Sequence, residues 1–260
     1  MLKERFGFSS SALKMIAVIT MLIDHVAAVL LMKLLIQNGT WVLVPIEGGR
    51  ALRLLSAEHM DLVRLYQVMR DIGRIAFPIY CFMLVEGFMR TGNMKRYLGR
   101  LCVFAFVSEI PFDLAFAGKA FHWEYQNVMF TLVLALIAMY ISKMWDEKIQ
   151  NLYLRWLLVG VTWAVAAAIA EWMQTDYAAK GVGCIFVLYV LRYFRNWQLL
   201  GGAVAFWWEL PAPISFLLLG LYNGKKGKSM KHFFYAFYPA HLLILYILSI
   251  IWGMGHIPAI

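Results

Sequence analysis

Charge is scarce in this chain. Only 15% of its 260 residues are Asp, Glu, Lys or Arg, while 62% are hydrophobic, which is more apolar surface than one soluble core could bury. Strand-length alternation of polar and apolar residues is also missing, and its absence excludes a transmembrane barrel. Lipid offers no partners to backbone N–H and C=O groups, so long unalternating apolar runs must cross it as helices. Cysteine is sparse as well. Cys81, Cys102 and Cys184 stand singly in apolar stretches, so neither a disulfide framework nor a thiolate metal site is suggested, and no metal is expected. GxSxG, GK[ST] and HExxH do not occur, which leaves serine hydrolase, P-loop and zincin chemistry without support. No repeat, low-complexity tract or linker divides the chain, which is read as one domain, 1–260.

What is present is a series of apolar stretches, at 12–35, 72–89, 97–117, 127–144, 154–173, 179–195, 197–211, 211–223 and 233–252. Several are short, so the fold class is an all-α polytopic membrane bundle of about nine helices, within a range of eight to ten. The first run follows Lys3 and Arg5 as a signal peptide would, but its length and the lack of a small-residue cleavage site make it a retained span. With the amino terminus in the cytoplasm, the inner segments hold 16 of the 24 basic residues but only Glu4, Asp146 and Glu147 of the 15 acidic ones. That bias satisfies the positive-inside rule and puts the carboxyl terminus outside. Basic loops facing anionic lipid account for the net charge of +9 without nucleic acid. Trp41, Trp123, Trp172, Trp197, Trp207 and Trp252 fall near span ends, where indoles anchor. The loop of about 36 residues after the first span is long enough to hold an element of its own. Its charges are balanced (Glu47, Arg50, Arg53, Glu58, Asp61, Arg64, Arg70, Asp71), and Leu52, Leu55, Val63, Leu65 and Met69 suit an amphipathic helix on the outer surface.

Within the first span, Lys14 precedes His25 by 11 residues, about 16.5 Å of rise and about 1100° of turn, so both face within roughly 20° of one direction. An elongated anionic cofactor could lie along that line, phosphates at Lys14 and reactive end at His25. The plainer alternative is a snorkelling lysine and a histidine bonded inside the bundle. Asp24 points about 100° away from His25, so its partner must come from another span. Candidates are Arg74, Glu86, Glu109, Asp113, Asn127 and His241. Pro111 between Glu109 and Asp113 frees backbone carbonyls, and polar irregular helix of this kind is tolerated only around a protein-lined or wet cavity. Glu86 could equally form an i,i+4 pair with Arg90. Gly181 and Gly183 make a GxG at a span start that suits helix packing better than nucleotide binding.

The strings LKMIAVITMLIDHVAAVL, GRIAFPIYCFMLVEGF, KRYLGRLCVFAFVSEIPFDLAF, NVMFTLVLAL, TDYAAKGVGCIFVLYVLR and FFYAFYPAHLLIL, which cover most of the chain in order, resemble the TraX family. Members are similar to the wider transmembrane acyltransferases, in which a basic residue, ten residues and a histidine occupy the first span. The resemblance implies a transmembrane O- or N-acetyltransferase of the bacterial inner membrane, moving acetyl from cytoplasmic acetyl-CoA to an acceptor on the far side. It implies His25, with Asp24 beside it, as catalytic. Lys14, Arg90 and Arg96 become candidate contacts for acetyl-CoA, and Arg74, Glu86, Glu109, Asp113, Asn127, Asp176 and His241 become pocket residues. The acceptor would be a protein amino terminus, as in the acetylation of a pilin, or a glycan. Partners are thus the lipid bilayer, acetyl-CoA and that acceptor, with a homo-oligomer also allowed. One departure stands out: after Asp176-Tyr177 the family pattern leads one to expect glycine, and this chain has Ala178.

A thioester is already activated, so such an enzyme needs chiefly a general base and dipoles for the oxyanion. Two rivals use the same residues differently. A proton-coupled transporter would string Asp24, His25, Glu86, Glu109 and Asp113 into a relay, though the repeated halves typical of such proteins are not evident. A non-catalytic assembly factor would leave mid-membrane carboxylates without a purpose.

Overall fold

The computed structural model describes residues 7–46 and 49–259. Lys3, Glu4, Arg5 and Glu47, used above in the charge pattern, lie outside the described residues.

The first helix, α1 (Ser10–His25), starts because the Ser9 hydroxyl accepts the Ala12 amide at 3.2 Å, satisfying an orphan donor of the first turn. It passes through a π-helical segment, Val26–Leu31, into α2 (Met32–Gln37). A hairpin follows, β1 (Trp41–Ile46) antiparallel to β2 (Gly49–Leu54), with Trp41 opposite Leu54. Then come α3 (Met60–Gly73), α4 (Ala76–Arg90), α5 (Met94–Ala117) and α6 (Val128–Lys148). The remainder is α7 (Leu152–Trp172), α8 (Ala178–Val190), α9 (Arg195–Ala205), a 3-10 turn at Ala212–Ile214, α10 (Ser215–Gly220) and α11 (Lys231–Ile251). Asn93, Asn127 and Asn151 cap α5, α6 and α7 through their side-chain oxygens. The expected all-α bundle is what forms, with the hairpin as its one addition among the described residues.

Among the described residues, five helical runs are long and apolar enough to cross a membrane: Ser10–Gln37, Met60–Arg90, Val128–Lys148, Leu152–Trp172 and His232–Ile251. This is a membrane protein, and its surface agrees. Leu154, Leu157, Val161 and Val165 on α7 and Val103, Phe106, Val107 and Ile110 on α5 are exposed in helical stripes, as lipid permits. Each of the nine expected segments holds helix, but α8, α9 and α10, at 13, 11 and 6 residues, rise about 20, 16 and 9 Å, short of a core about 30 Å thick.

Two expectations fail. The long loop carries a β-hairpin instead of a surface helix, and Val63, Leu65 and Met69 belong to α3, which runs on into α4. The second crossing therefore begins at Met60 instead of residue 72. A β-branched run ended by Gly48-Gly49 carries the hairpin signal, and α3 extends the span because its apolar face, including buried Val63, has α1 to pack against.

The ends of the bundle differ in charge. At the basic end, Phe8 pairs with Leu221 and Asn223, the Ser10 and Ser11 amides donate to the Lys225 and Lys226 carbonyls, and Arg90 donates to Gly224 O at 2.7 Å. At the far end, the Ala259 amide reaches the Phe116 carbonyl at 2.6 Å. Because α1 and α11 run parallel from the basic end, they meet along one seam. Lys14 lies over the Phe234 ring, His25 meets Tyr238 and His241, and Lys33 meets Tyr246 and Ser249.

Candidate functional site

Lys14 and His25 do face the same way, both toward α11. Lys14 lines a cavity of about 350 Å³ between α1, α4, α5, α6 and α11. Its mouth is at the basic end, where Lys226, Lys228 and Ser229 are exposed and Arg100 joins them from α5. The Arg100 Nε is buried with no hydrogen-bond partner among the described residues. Inward the lining turns apolar and aromatic, through Tyr80, Met83, Leu84 and Leu101, to Met21 and Tyr238. Met21 lies one turn before His25, and the Tyr238 ring is 6.0 Å from the imidazole. The cavity thus joins four cationic side chains to the neighbourhood of one histidine.

His25 is half-buried and His241 buried. Their rings are nearly parallel, at 9°, and the His25 Nδ1 lies 2.6 Å from the His241 Nε2. That is too close for face-to-face stacking, so the rings meet edge to edge. Phe237 stacks on His241 with centroids 4.6 Å apart, and Phe116 and Tyr238 stand edge-on to His25.

A layer of ion pairs lies beside the histidines. Asp24 accepts from Arg70 Nη1 at 2.6 Å, and Arg74 pairs with Glu209 at 2.5 Å. This corrects the expected partnership: Arg70, previously counted only as a loop charge, holds Asp24, and Arg74 serves Glu209. Both arginines are on α3 or its C-terminal cap, four residues apart, and so share a face. Gly73 between them lets α3 approach α1 closely; a Cβ there would fall 2.2 Å from the Asp24 Cβ. Asp24 Oδ1, Glu109 Oε1 and Asp113 Oδ1 are buried oxygens without a partner among the described residues.

The other expected pocket residues are distributed by depth. The Glu109 carboxylate takes the Asn127 side-chain amide, which also donates to Ala105 O at 3.0 Å. Asp113 accepts the His122 amide at 2.7 Å, so it secures the loop between α5 and α6. Asp176, in the turn before α8, accepts the Tyr125 hydroxyl at 2.6 Å. Burial raises its carboxyl above the usual range, opposed by that hydrogen bond and by Arg70 and Arg74. The same turn has left-handed backbone at Gln174, Tyr177 and Ala178, with φ of 51°, 65° and 39°. The glycine expected after Asp176-Tyr177 would suit that conformation, and Ala178 holds it under strain.

Of the expected site residues Lys14 alone lines the cavity, and three of the others have different roles. Glu86 is at the basic end in a 2.9 Å pair with Arg90, the i,i+4 alternative. Arg90 is occupied by Glu86 and Gly224, and Arg96 is exposed. Their place at the cavity is taken by Arg100, Lys226 and Lys228, which sequence spacing did not single out because the 221–230 loop folds back across the mouth. Gly181 packs against Thr131 and Phe77, as expected of a packing glycine.

Fold and site together define a polytopic helical membrane protein with a basic-mouthed cavity leading toward an intramembrane histidine pair. The chain belongs to the TraX family: the family model described as TraX protein matches residues 9–249. It is similar to a probable fimbrial assembly protein, FimC of serogroup H1, from Dichelobacter nodosus, at 27% identity over 94% of this chain and 97% of that one. No solved structure matches it.

Proposed function

We propose that this protein is an inner-membrane acetyltransferase of a bacterium. It would take acetyl from cytoplasmic acetyl-CoA and deliver it to an amine or hydroxyl on the opposite side. The observation that carries this is the cavity, with cations at its mouth and His25 just past its inner end. Lys14, Arg100, Lys226 and Lys228 suit the phosphates of CoA, and the apolar interior suits its pantetheine arm. The basic end then faces the cytoplasm, as the distribution of Lys and Arg favours.

In the transfer, an acceptor amine or hydroxyl attacks the thioester carbonyl. A C–N or C–O bond forms, the C–S bond breaks, and the acceptor's proton passes through His25 to the departing CoA sulfur. The cavity stops at Tyr238, so this ring must turn aside for the thioester to meet the imidazole. The name of the Dichelobacter relative supports a protein acceptor belonging to a surface fibre.

The test uses the purified protein in lipid nanodiscs. CoA alone should raise the melting temperature, and thiol should be released from acetyl-CoA when a peptide with a free amino terminus or a monosaccharide is supplied. His25→Ala should keep the CoA-dependent stabilisation and lose about 10²–10⁴-fold in thiol release. A wild-type protein indifferent to CoA over a wide concentration range would overturn the proposal and return a proton-coupled transporter to the front. So would a folded His25→Ala variant with near wild-type turnover.

A further inference from the structure

The contact between the two histidines fixes more than their proximity. The His241 Nδ1 lies 2.8 Å from the Phe237 carbonyl oxygen, and a carbonyl can only accept. His241 must therefore carry its proton on Nδ1. A neutral imidazole protonated there presents a bare lone pair at Nε2, the atom that meets the His25 Nδ1 at 2.6 Å. His25 must in turn donate from Nδ1, which leaves its Nε2 unprotonated. One backbone carbonyl thus sets the tautomer of two rings in series.

The surroundings hold this arrangement. Phe237 stacks on His241 and also supplies the carbonyl, so a single residue sets both the tilt and the tautomer of that ring. Phe116 and Tyr238 bracket His25. Of the charged groups on adjoining elements, Arg70 is engaged by Asp24 and Arg74 by Glu209, so no carboxylate among the described residues is bonded to His25 in place of His241.

We propose that His241 is the positioning residue of this site, holding His25 in the Nδ1–H form so that its Nε2 is the base. The role is the one a carboxylate plays behind the histidine of a hydrolase, performed here by a neutral ring. That choice follows from the setting: a carboxylate at this position would add an unpaired charge to the membrane interior, and a neutral acceptor does not. A neutral partner also leaves the proton accepted at Nε2 free to move on to the sulfur, since no ion pair retains it. The proposal rests on the reading of His25 as the general base.

His241→Gln can place an amide oxygen where Nε2 now sits, and His241→Leu cannot accept at all. Expected are a fall of about 10–100-fold in kcat for His241→Leu with KM for acetyl-CoA unchanged, and recovery of most of that loss in His241→Gln. Nitrogen-15 NMR of histidine-labelled wild-type protein, with His25 assigned by its disappearance in His25→Gln, should find His25 protonated at Nδ1 and bare at Nε2. This measurement needs neither turnover nor a folded His241→Leu variant.

The outcomes separate cleanly. An active His25→Ala removes the base reading itself. An inactive His25→Ala beside a fully active His241→Leu removes only the positioning role. A His25 found protonated at Nε2 overturns the proposal whatever the kinetics, and equal losses in His241→Leu and His241→Gln would mark His241 as packing alone.

Discussion

The side chain least free to change at this depth is Asp24. It packs against the Gly73 backbone and gives one oxygen to Arg70, while its other oxygen is buried without a partner among the described residues. Breaking a largely buried pair from one side leaves the other charge uncompensated, which usually costs about 3–5 kcal/mol. Arg70→Met should therefore lower the melting temperature sharply, while the double variant Arg70→Met/Asp24→Asn should recover a substantial part. Additive losses would mean that the two side chains are not coupled. Sequence could foretell that Asp24 needed a partner from another span, since it sits a residue from His25 and so turns away from it. It could not choose between Arg70 and Arg74, because residues four apart occupy the same face, and the packing of α3 on α1 decides which one meets Asp24.

At the scale of elements, Gly73 is where α3 comes nearest to α1. Gly73→Ala pushes a methyl into the Asp24 side chain, and overpacking of this kind costs roughly 1–3 kcal/mol. Gly99→Ala, on α5 with open space before it, is the control and should be neutral or slightly stabilising. A melting temperature unchanged by Gly73→Ala would show that α3 can shift without penalty. The helices that carry Lys14, His25 and His241 were legible because apolar runs of spanning length leave little choice of structure. The hairpin was missed although the β-branched run before Gly48-Gly49 marks it, because the balanced charges of the loop also fit an exposed helix. The short α8, α9 and α10 fall in their expected segments, but hydropathy marks apolar stretches and not where a helix stops short of crossing. Glu209, in the bend between α9 and α10, is accordingly the member of the ion-pair layer that spacing could not reach.

For the molecule as a whole, the described termini lie at opposite ends of the bundle, since Phe8 sits with the basic loop and Ala259 with the far end of α5. Reporters fused before Met1 and after Ile260 should therefore report from opposite sides of the membrane, the amino-terminal one from the cytoplasm. Matching readouts would require one of the short helical elements to be counted differently. The split in charge that makes this orientation readable in sequence also produces the basic mouth of the cavity, so topology and candidate ligand site come from the same lysines and arginines. What composition could not convey was that Lys226 and Lys228 return to Ser11, whose hydroxyl donates to both of their carbonyls.

The π-helical segment at Val26–Leu31 has a consequence for which changes of length the first span can bear. A π turn takes up one residue more than an α turn, so the eight positions from His25 to Lys33 wind like seven, about 700°, and return within roughly 20° of the starting face. That is why Lys33, with 0% exposure, lies against Ser249 and Tyr246 on the same seam as His25. The segment works as a phase correction: without it the outer third of the span would be turned by about 100°, which would take Lys33 off the seam where Ser249 and Tyr246 receive it. Inserting an alanine after Val29 should thus reduce the yield of folded protein far more than Val29→Ala, with Lys33→Leu relieving much of that effect, whereas deleting Val29 leaves seven α steps, about 700°, and should be tolerated. At this segment the helix can lose a residue by becoming plain α-helix, but it cannot gain one.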